Sequence, residues 1–287
     1  KQKMKLVLFD LDGTLINAGP SGVPSLNKVM FELYGKKPVY YVRALAGRTD
    51  IHNFIYVYKA AFGRAPAPAR LQEMKAAYLA ALKRETAAAF KAKKAKPLNG
   101  AVKLLQTLCV RPEVKLALAT GNFEEAAKIK LAPFGLAKYF NFAASGFGAE
   151  VKDRVSLLEL AKKNAAKAFK TNFKAGDIFV IGDTHIDICA AKQLGFHSAA
   201  VTAATLGDAE KLRRAAAELE CKDFGDAALW LMWLRLKADP KGMEKGSYIM
   251  PASAIEHVFF SRTGIDEQRL KMFRIKKYSD LESGKLL

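Results

Sequence analysis

Residues 5–15 read Lys5-Leu6-Val7-Leu8-Phe9-Asp10-Leu11-Asp12-Gly13-Thr14-Leu15. The apolar run at 6–9 shows no alternation and stops at a Gly-containing turn, which predicts a strand buried on both faces, as in a parallel sheet. Asp10 and Asp12 follow at its C-terminal end. Carboxylates at the end of a buried strand need a partner or a metal to offset their lost hydration. Open α/β sheets bind ligands beyond the carboxyl ends of their strands, so a site is expected at this pair.

Downstream, strand and helix signals alternate. The apolar stretch 114–119 runs into Thr120-Gly121-Asn122, and 178–181 runs into Gly182-Asp183-Thr184. Further strands are expected at 140–144, 198–202 and, more weakly, 219–222. Helices are expected at 101–109, 123–131, 152–168, 186–194, 208–217 and 225–237. This alternation predicts an α/β fold with a Rossmann-like, doubly wound parallel sheet. Residues 16–96 differ: they carry helical patterns at 24–34, 50–62 and 66–94 and no strand signal. Gly35 and Gly63 read as helix stops, Asp50 as an N-cap and Thr86 as a candidate break. The expected organisation is a catalytic core at 1–15 and 97–237 and an inserted α-helical cap domain at 16–96. Residues 238–287, punctuated by Pro240, Gly242, Gly246, Pro251 and Gly264, form an irregular extension.

The formal net charge is +19, and it is unevenly spread. Residues 15–97 hold 15 Lys and Arg against 4 Asp and Glu, whereas 98–237 hold 20 against 15 and 238–287 hold 9 against 7. A basic insertion facing an acidic site favours anionic, phosphate-bearing substrates by steering; the plainer reading is a solvated Lys-rich surface. Nucleic acid is disfavoured as a partner, because no stripe of interleaved aromatics or known binding module is present. No apolar run reaches the roughly 20 residues of a membrane span, and the strongest candidate, 227–236, is too short and contains Arg235. Cys109, Cys189 and Cys221 lack metal-ligand spacing and read as reduced core residues. With no signal-peptide pattern ahead of Lys5, a cytoplasmic location is expected.

Three strand ends share one design, an apolar strand running into a polar cluster. They supply Asp10 and Asp12, then Thr120-Gly121-Asn122, then Asp183 with Asp187. Any one of these acids alone reads as a turn or cap residue, and Asp183 could cap the helix after it. Four acids at two strand ends call for a counter-ion, and Mg²⁺ is the natural one because it takes oxygen ligands and keeps waters at its remaining positions.

Asp10-Leu11-Asp12-Gly13-Thr14 resembles the first motif of the haloacid dehalogenase-like hydrolase superfamily. Thr120 after Leu116-Ala117-Leu118-Ala119 resembles the second motif, and Gly182-Asp183-Thr184 with Asp187 and Ala190-Ala191 resembles the fourth. The likeness covers 5–14 and about 98–235, and the insertion lies where a helical cap sits in the phosphoglycolate phosphatase-like branch. The resemblance implies a Mg²⁺-dependent phosphatase acting on a small phosphorylated metabolite. Asp10 would be the nucleophile that becomes an aspartyl-phosphate, and Asp12 the general acid and base. Thr120 and the backbone N–H groups of Gly121 and Asn122 would bind phosphoryl oxygens. Asp10, the Asp12 carbonyl and Asp183 would hold the metal, with Asp187 as a ligand directly or through water.

The third motif departs from the pattern. Lys152 stands nine residues before Ala161, as the family expects, and is the expected catalytic cation beside the aspartates, although Asp153 replaces the usual Pro and Arg154 is the second choice. His185 also stands where many relatives carry Pro. Gly47-Arg48-Thr49-Asp50 resembles the cap loop that faces the site in this branch, and Arg48 could bind a substrate carboxylate or second phosphate. Asp12 and Thr14 argue against the dehalogenase branch, which lacks the second Asp, and against P-type ATPases, which carry Lys-Thr after the nucleophile. A sugar phosphomutase would use the same residues, and a non-catalytic basic module that binds nucleic acid or a partner is the non-enzyme alternative.

Overall fold

The computed structural model describes residues 3–36, 45–149, 151 and 153–236. The first strand, β1 (Lys5–Phe9), has Leu6, Val7, Leu8 and Phe9 with no solvent exposure. Burying each such side chain stabilises the fold by about 1.5–3 kcal/mol before entropy is counted. Two short strands, β2 (Ile16–Asn17) and β3 (Lys96–Pro97), pair antiparallel. Then come β4 (Val114–Thr120), β5 (Gly146–Phe147), β6 (Ile178–Gly182), β7 (His197–Val201) and β8 (Leu219–Cys221).

Among the described residues, six strands form one parallel sheet in the order β5-β4-β1-β6-β7-β8. The chain winds outward from β1 through β4 and β5, then returns to the other side of β1 for β6, β7 and β8. That reversal is the switch point at which open sheets hold ligands. Phe9 pairs with Leu118 on one side and Ile181 on the other, so Asp10, Thr120 and Asp183 emerge together at the carboxyl edge.

The helices are α1 (Gly22–Tyr34), α2 (Asp50–Phe62), α3 (Pro68–Lys91), α4 (Ala101–Cys109) and α5 (Glu124–Leu131). They continue with α6 (Arg154–Phe169), α7 (His185–Gln193), α8 (Ala209–Arg214) and α9 (Ala227–Trp233). Leu158, Ala161 and Ala165 of α6 and Ala190 and Ala191 of α7 cluster with Leu6, Leu8, Ala117 and Ala119 on one face of the sheet. Small residues on these helices let them approach the strands closely.

The insertion leaves through β2 and returns through β3, so its two chain crossings are tied to each other. This ribbon is the strand that hydropathy missed, because two residues are too few to show alternation. Inside the insertion, Leu26, Val29 and Met30 of α1 pack with Phe54, Val57 and Tyr58 of α2 and Met74, Tyr78 and Leu82 of α3. Phe123 and Ala126 belong to the same cluster, and the Phe123 ring meets Phe54 edge-on at 5.3 Å. Gly35 and Gly63 end α1 and α2 in the left-handed conformation, as their sequence positions indicate. The helix α3 runs through Thr86 unbroken.

Other expectations need correction. Residues 140–144 are no strand: 142–144 form a 3₁₀ turn, and the edge strand is β5. The Ser145 hydroxyl accepts the Leu118 N–H at 2.9 Å and donates to the Asn141 carbonyl at 2.8 Å, standing in for ladder partners. The helices at 208–217 and 225–237 are shorter than read, since Ala216 (φ 50°) and Arg235 (φ 55°) turn left-handed near their ends. Cys109 and Cys189 are exposed and Cys221 is half-buried, so none is a core residue.

The unit that carries the sheet ends at Asp223, and a second begins at Phe224. In the second, Asp226 accepts the Leu229 N–H at 3.0 Å to start α9, and Trp230 packs on Phe224 and Trp233. Among the described residues, no helix is long and apolar enough to cross a membrane. Residues 238–287 lie outside the described residues.

Candidate active site

Asp10 follows β1 directly, and its N–H donates to the Ile181 carbonyl at 2.9 Å, extending the ladder by one residue. Its side chain is therefore carried by two strands and is buried. The chain then turns tightly: the Gly13 N–H donates to the Ile16 carbonyl at 2.8 Å. Gly13 has φ +80°, and a Cβ there would lie 2.3 Å from Asp183 Oδ2 and 2.8 Å from the Ala204 carbonyl. Gly13→Ala is therefore expected to lower unfolding free energy by about 2–4 kcal/mol, from left-handed strain plus overpacking, read as a lower urea midpoint. An unchanged midpoint would refute the close approach.

Asp183 follows β6 directly, and its Oδ2 accepts the Leu206 N–H at 2.7 Å while its carbonyl accepts from the Thr205 hydroxyl at 2.6 Å. Its Oδ1 is buried with no hydrogen-bond partner among the described residues. Asp183 does not cap α7. Thr184 is the N-cap, and Asp187 closes a capping box through Oδ2, which accepts from the Thr184 N–H at 3.2 Å and hydroxyl at 2.7 Å.

Carboxylate oxygens of Asp10, Asp183 and Asp187 lie within 4.8 Å of one another, and all three residues are buried. Arg154 is the cation set among them. Its Nε is 3.1 Å from Asp187 Oδ1 and its Nη1 3.6 Å from Asp10 Oδ1. Nη1 also donates to the Ala119 carbonyl at 3.1 Å. Asp153 explains the missing Pro: its carboxylate accepts the Ser156 N–H at 2.8 Å as N-cap of α6, which puts Arg154 at the first helical position. Lys152 lies outside the described residues.

Among the described residues, three acids against one arginine leave the cluster short of positive charge. Burial pushes the Asp10 carboxyl up to about 7, helped by Asp187 and Asp12 and opposed by Arg154. Burial and the charges of Asp10 and Asp187 push Asp183 well above the usual carboxylate range. A buried orphan oxygen and hard oxygen donors within a few ångströms fit a divalent cation.

Thr120 ends β4. Its Oγ1 accepts from the Asn122 amide Nδ2 at 2.8 Å, and that same amide donates to Asp12 Oδ2 at 2.9 Å. Lys130 completes this second cluster: its Nζ donates to Asp12 Oδ2 at 2.6 Å and to Asn122 Oδ1 at 2.7 Å. Sequence reading missed Lys130. The signal was present, because Ala126, Ala127, Lys130 and Leu131 are the buried stripe of α5, spaced by three and four.

Arg48-Thr49-Asp50 press the insertion onto these loops. A Cβ on Gly121 would lie 2.3 Å from the Arg48 carbonyl, and the Asp50 N–H donates to the Gly121 carbonyl at 2.7 Å. Thr49, rather than Asp50, caps α2, accepting the His52 N–H at 3.3 Å. The Asp50 carboxylate instead accepts the Phe123 N–H at 2.8 Å, at the N-cap of α5. Burial pushes Asp50 up to about 6, against the pull of Lys130 and of that N–H. The Arg48 side chain is exposed at the rim, with Nη1 3.0 Å from His52 Nε2 and its guanidinium over the Tyr56 ring. Asp10, Asp12, Thr120, Asn122, Asp183, Lys130 and Arg154 all border one cavity of about 170 Å³, walled on the insertion side by Asp50, Phe54 and Tyr78.

Carboxylates gathered at the switch point of a doubly wound sheet, beside a helical insertion, define an α/β protein with an acidic ligand site at its carboxyl edge. A sequence profile of the haloacid dehalogenase-like hydrolases matches residues 7–201. The chain belongs to that family. Similar solved structures include a hydrolase from Pseudomonas syringae (21% identity, TM-score 0.59, 80% of this chain and 98% of that one). CbbY from Rhodobacter sphaeroides, solved with phosphate, aligns at 18% identity and TM-score 0.61 over 78% and 96%. A candidate beta-phosphoglucomutase from Bacteroides vulgatus aligns at 21% and 0.58 over 82% and 90%. A search of curated protein sequences finds no significant match.

Proposed function

We propose that the protein is a Mg²⁺-dependent phosphatase that hydrolyses a small phosphorylated metabolite through an aspartyl-phosphate on Asp10. The observation that carries this reading is the buried Asp10 carboxylate at the switch point, within 4.8 Å of Asp183 and Asp187, on a cavity of about 170 Å³. Asp10, Asp183 and the Asp12 carbonyl would hold Mg²⁺. Both Asp187 oxygens are already engaged, by Thr184 and by Arg154, so Asp187 contributes charge and orientation or acts through water. The metal, when bound, offsets the charge that would repel an anionic nucleophile from a phosphate.

Asp10 attacks phosphorus in line. Asp12, on the same turn, protonates the departing oxygen and then takes a proton from the water that hydrolyses the aspartyl-phosphate. The Thr120 hydroxyl, which accepts from Asn122 and keeps its own proton, donates to a phosphoryl oxygen, together with the Gly121 and Asn122 N–H groups. Arg154 is the cation beside the nucleophile, with Lys152 as the alternative and Arg48 as a rim group for a second anionic substituent. Residues 16–96 serve as the cap, and the exposed thiols of Cys109 and Cys189 suit a cytoplasmic location.

The test is phosphate release from p-nitrophenyl phosphate and a panel of small phosphate esters, with Mg²⁺ and with EDTA. Turnover is expected with Mg²⁺ and a loss of at least about 100-fold with EDTA. Absence of turnover on every ester would overturn the phosphatase reading, and conversion of one sugar phosphate to its isomer would replace it with a phosphomutase.

A further inference from the structure

We propose that Lys130 is the positioning residue for Asp12, and so sets how well the enzyme cleaves esters with poor leaving groups. The inference rests on the phosphatase reading above and adds a residue to it.

Lys130 lies in the last turn of α5, and its side chain is 5% exposed. A lysine is seldom buried this far unless its ammonium ion is matched. Here two donors are matched, by Asp12 Oδ2 and Asn122 Oδ1, and the Asp50 carboxylate faces the same ammonium ion from α2. Gly22 borders the same pocket from α1, where a Cβ would lie 3.8 Å from both Lys130 Nζ and the Tyr78 hydroxyl. Asn122 makes the arrangement rigid. Its amide is oriented by Thr120 on one side and Lys130 on the other, so Nδ2 and Nζ converge on the same oxygen of Asp12.

Two donors on Oδ2 fix the Asp12 carboxyl in one rotamer and leave Oδ1 for the leaving group. Phosphoryl transfer breaks the bond from phosphorus to the ester oxygen as Asp10 forms its own, and that oxygen takes the proton carried by Asp12. An alkoxide leaves poorly without this proton, whereas p-nitrophenolate leaves readily. Loss of the positioning residue must therefore fall unequally on the two kinds of ester.

The experiment compares kcat/KM for glycerol phosphate and p-nitrophenyl phosphate in wild type, Lys130→Met and Lys130→Arg. The ratio kcat/KM stops at the first phosphoryl transfer, so hydrolysis of the aspartyl-phosphate does not enter. Lys130→Met is expected to lose at least about tenfold more on glycerol phosphate than on p-nitrophenyl phosphate. Lys130→Arg, which keeps the charge and the donors, should recover part of that difference. Asp12→Asn should show the same selectivity, and adding Lys130→Met to it should cost little more. Equal losses on both esters would overturn the positioning role, and so would a rise in KM alone, which would make Lys130 a substrate ligand. If Lys130→Met does not fold, selective loss in Lys130→Arg supports the proposal and equal loss overturns it. If glycerol phosphate is not cleaved, the best alkyl ester of the panel takes its place; lack of wild-type turnover on every ester would remove the phosphatase reading and this inference together.

Discussion

Asp10→Asn is expected to abolish phosphate release from every ester the wild type cleaves, by on the order of 10³-fold or more in kcat. The substitution keeps the shape of the side chain and the N–H bond to Ile181 that seats it in the sheet. It removes the carboxylate proposed to attack phosphorus, and one charge from the buried acidic cluster. A residual rate within tenfold of wild type would show that another group attacks.

The same variant carries a signed prediction about stability. The Asp10 carboxyl titrates near 7 in the folded protein against an ordinary 3.8, mainly because burial disfavours its charged form. Below about pH 4 it is protonated in both states and contributes nothing. Between the two values the folded state binds more protons than the unfolded one, so wild-type stability falls with rising pH across this window. Asp10→Asn lacks that term. In EDTA, its melting temperature should therefore gain on wild type from pH 4 to pH 7 and level off above. A gap that stays flat or closes with pH would mean that the carboxyl is stabilised as an anion even without metal.

The reach of sequence reasoning followed the range of the interactions involved. β1 was legible because burial on both faces demands four consecutive apolar residues, and Asp10 and Asp183 because they terminate such runs. β5 was not, since it has two residues and a serine hydroxyl takes a ladder position next to it. Asp50 was read as a local cap because Thr49-Asp50 offers two residues able to fill that role. Its real partner, the Phe123 N–H, is 73 residues away, and only the docking of α2 against α5 brings them together. Arg154 was legible as a candidate; what decides its placement is the N-cap made by Asp153, a signal that was read only as the absence of proline. Lys130 was the clearest missed signal, a charged residue on an otherwise apolar helical stripe.

Arg154→Met is expected to be the most destabilising single change at the site, by about 3–5 kcal/mol, because it strands buried carboxylates without their cation. The side chain is 3% exposed and touches Asp10, Asp187 and the carbonyl of Ala119 at once. Methionine fills the volume but leaves Asp187 Oδ1 with no counter-charge and adds to the repulsion that already raises Asp10 and Asp183. Denaturation in EDTA should show the full loss, and Mg²⁺ should restore more stability to this variant than to wild type, since a divalent ion meets a larger deficit. Arg154→Lys should recover only part, because one ammonium ion cannot span two carboxylates and a carbonyl as a planar guanidinium does. Lys152→Met supplies the contrast: if that variant loses activity while Arg154→Met stays stable and active, the cation of this site is Lys152. If Arg154→Met alone collapses, and is rescued by metal, the third motif of this chain has moved two residues along, onto the helix that Asp153 begins.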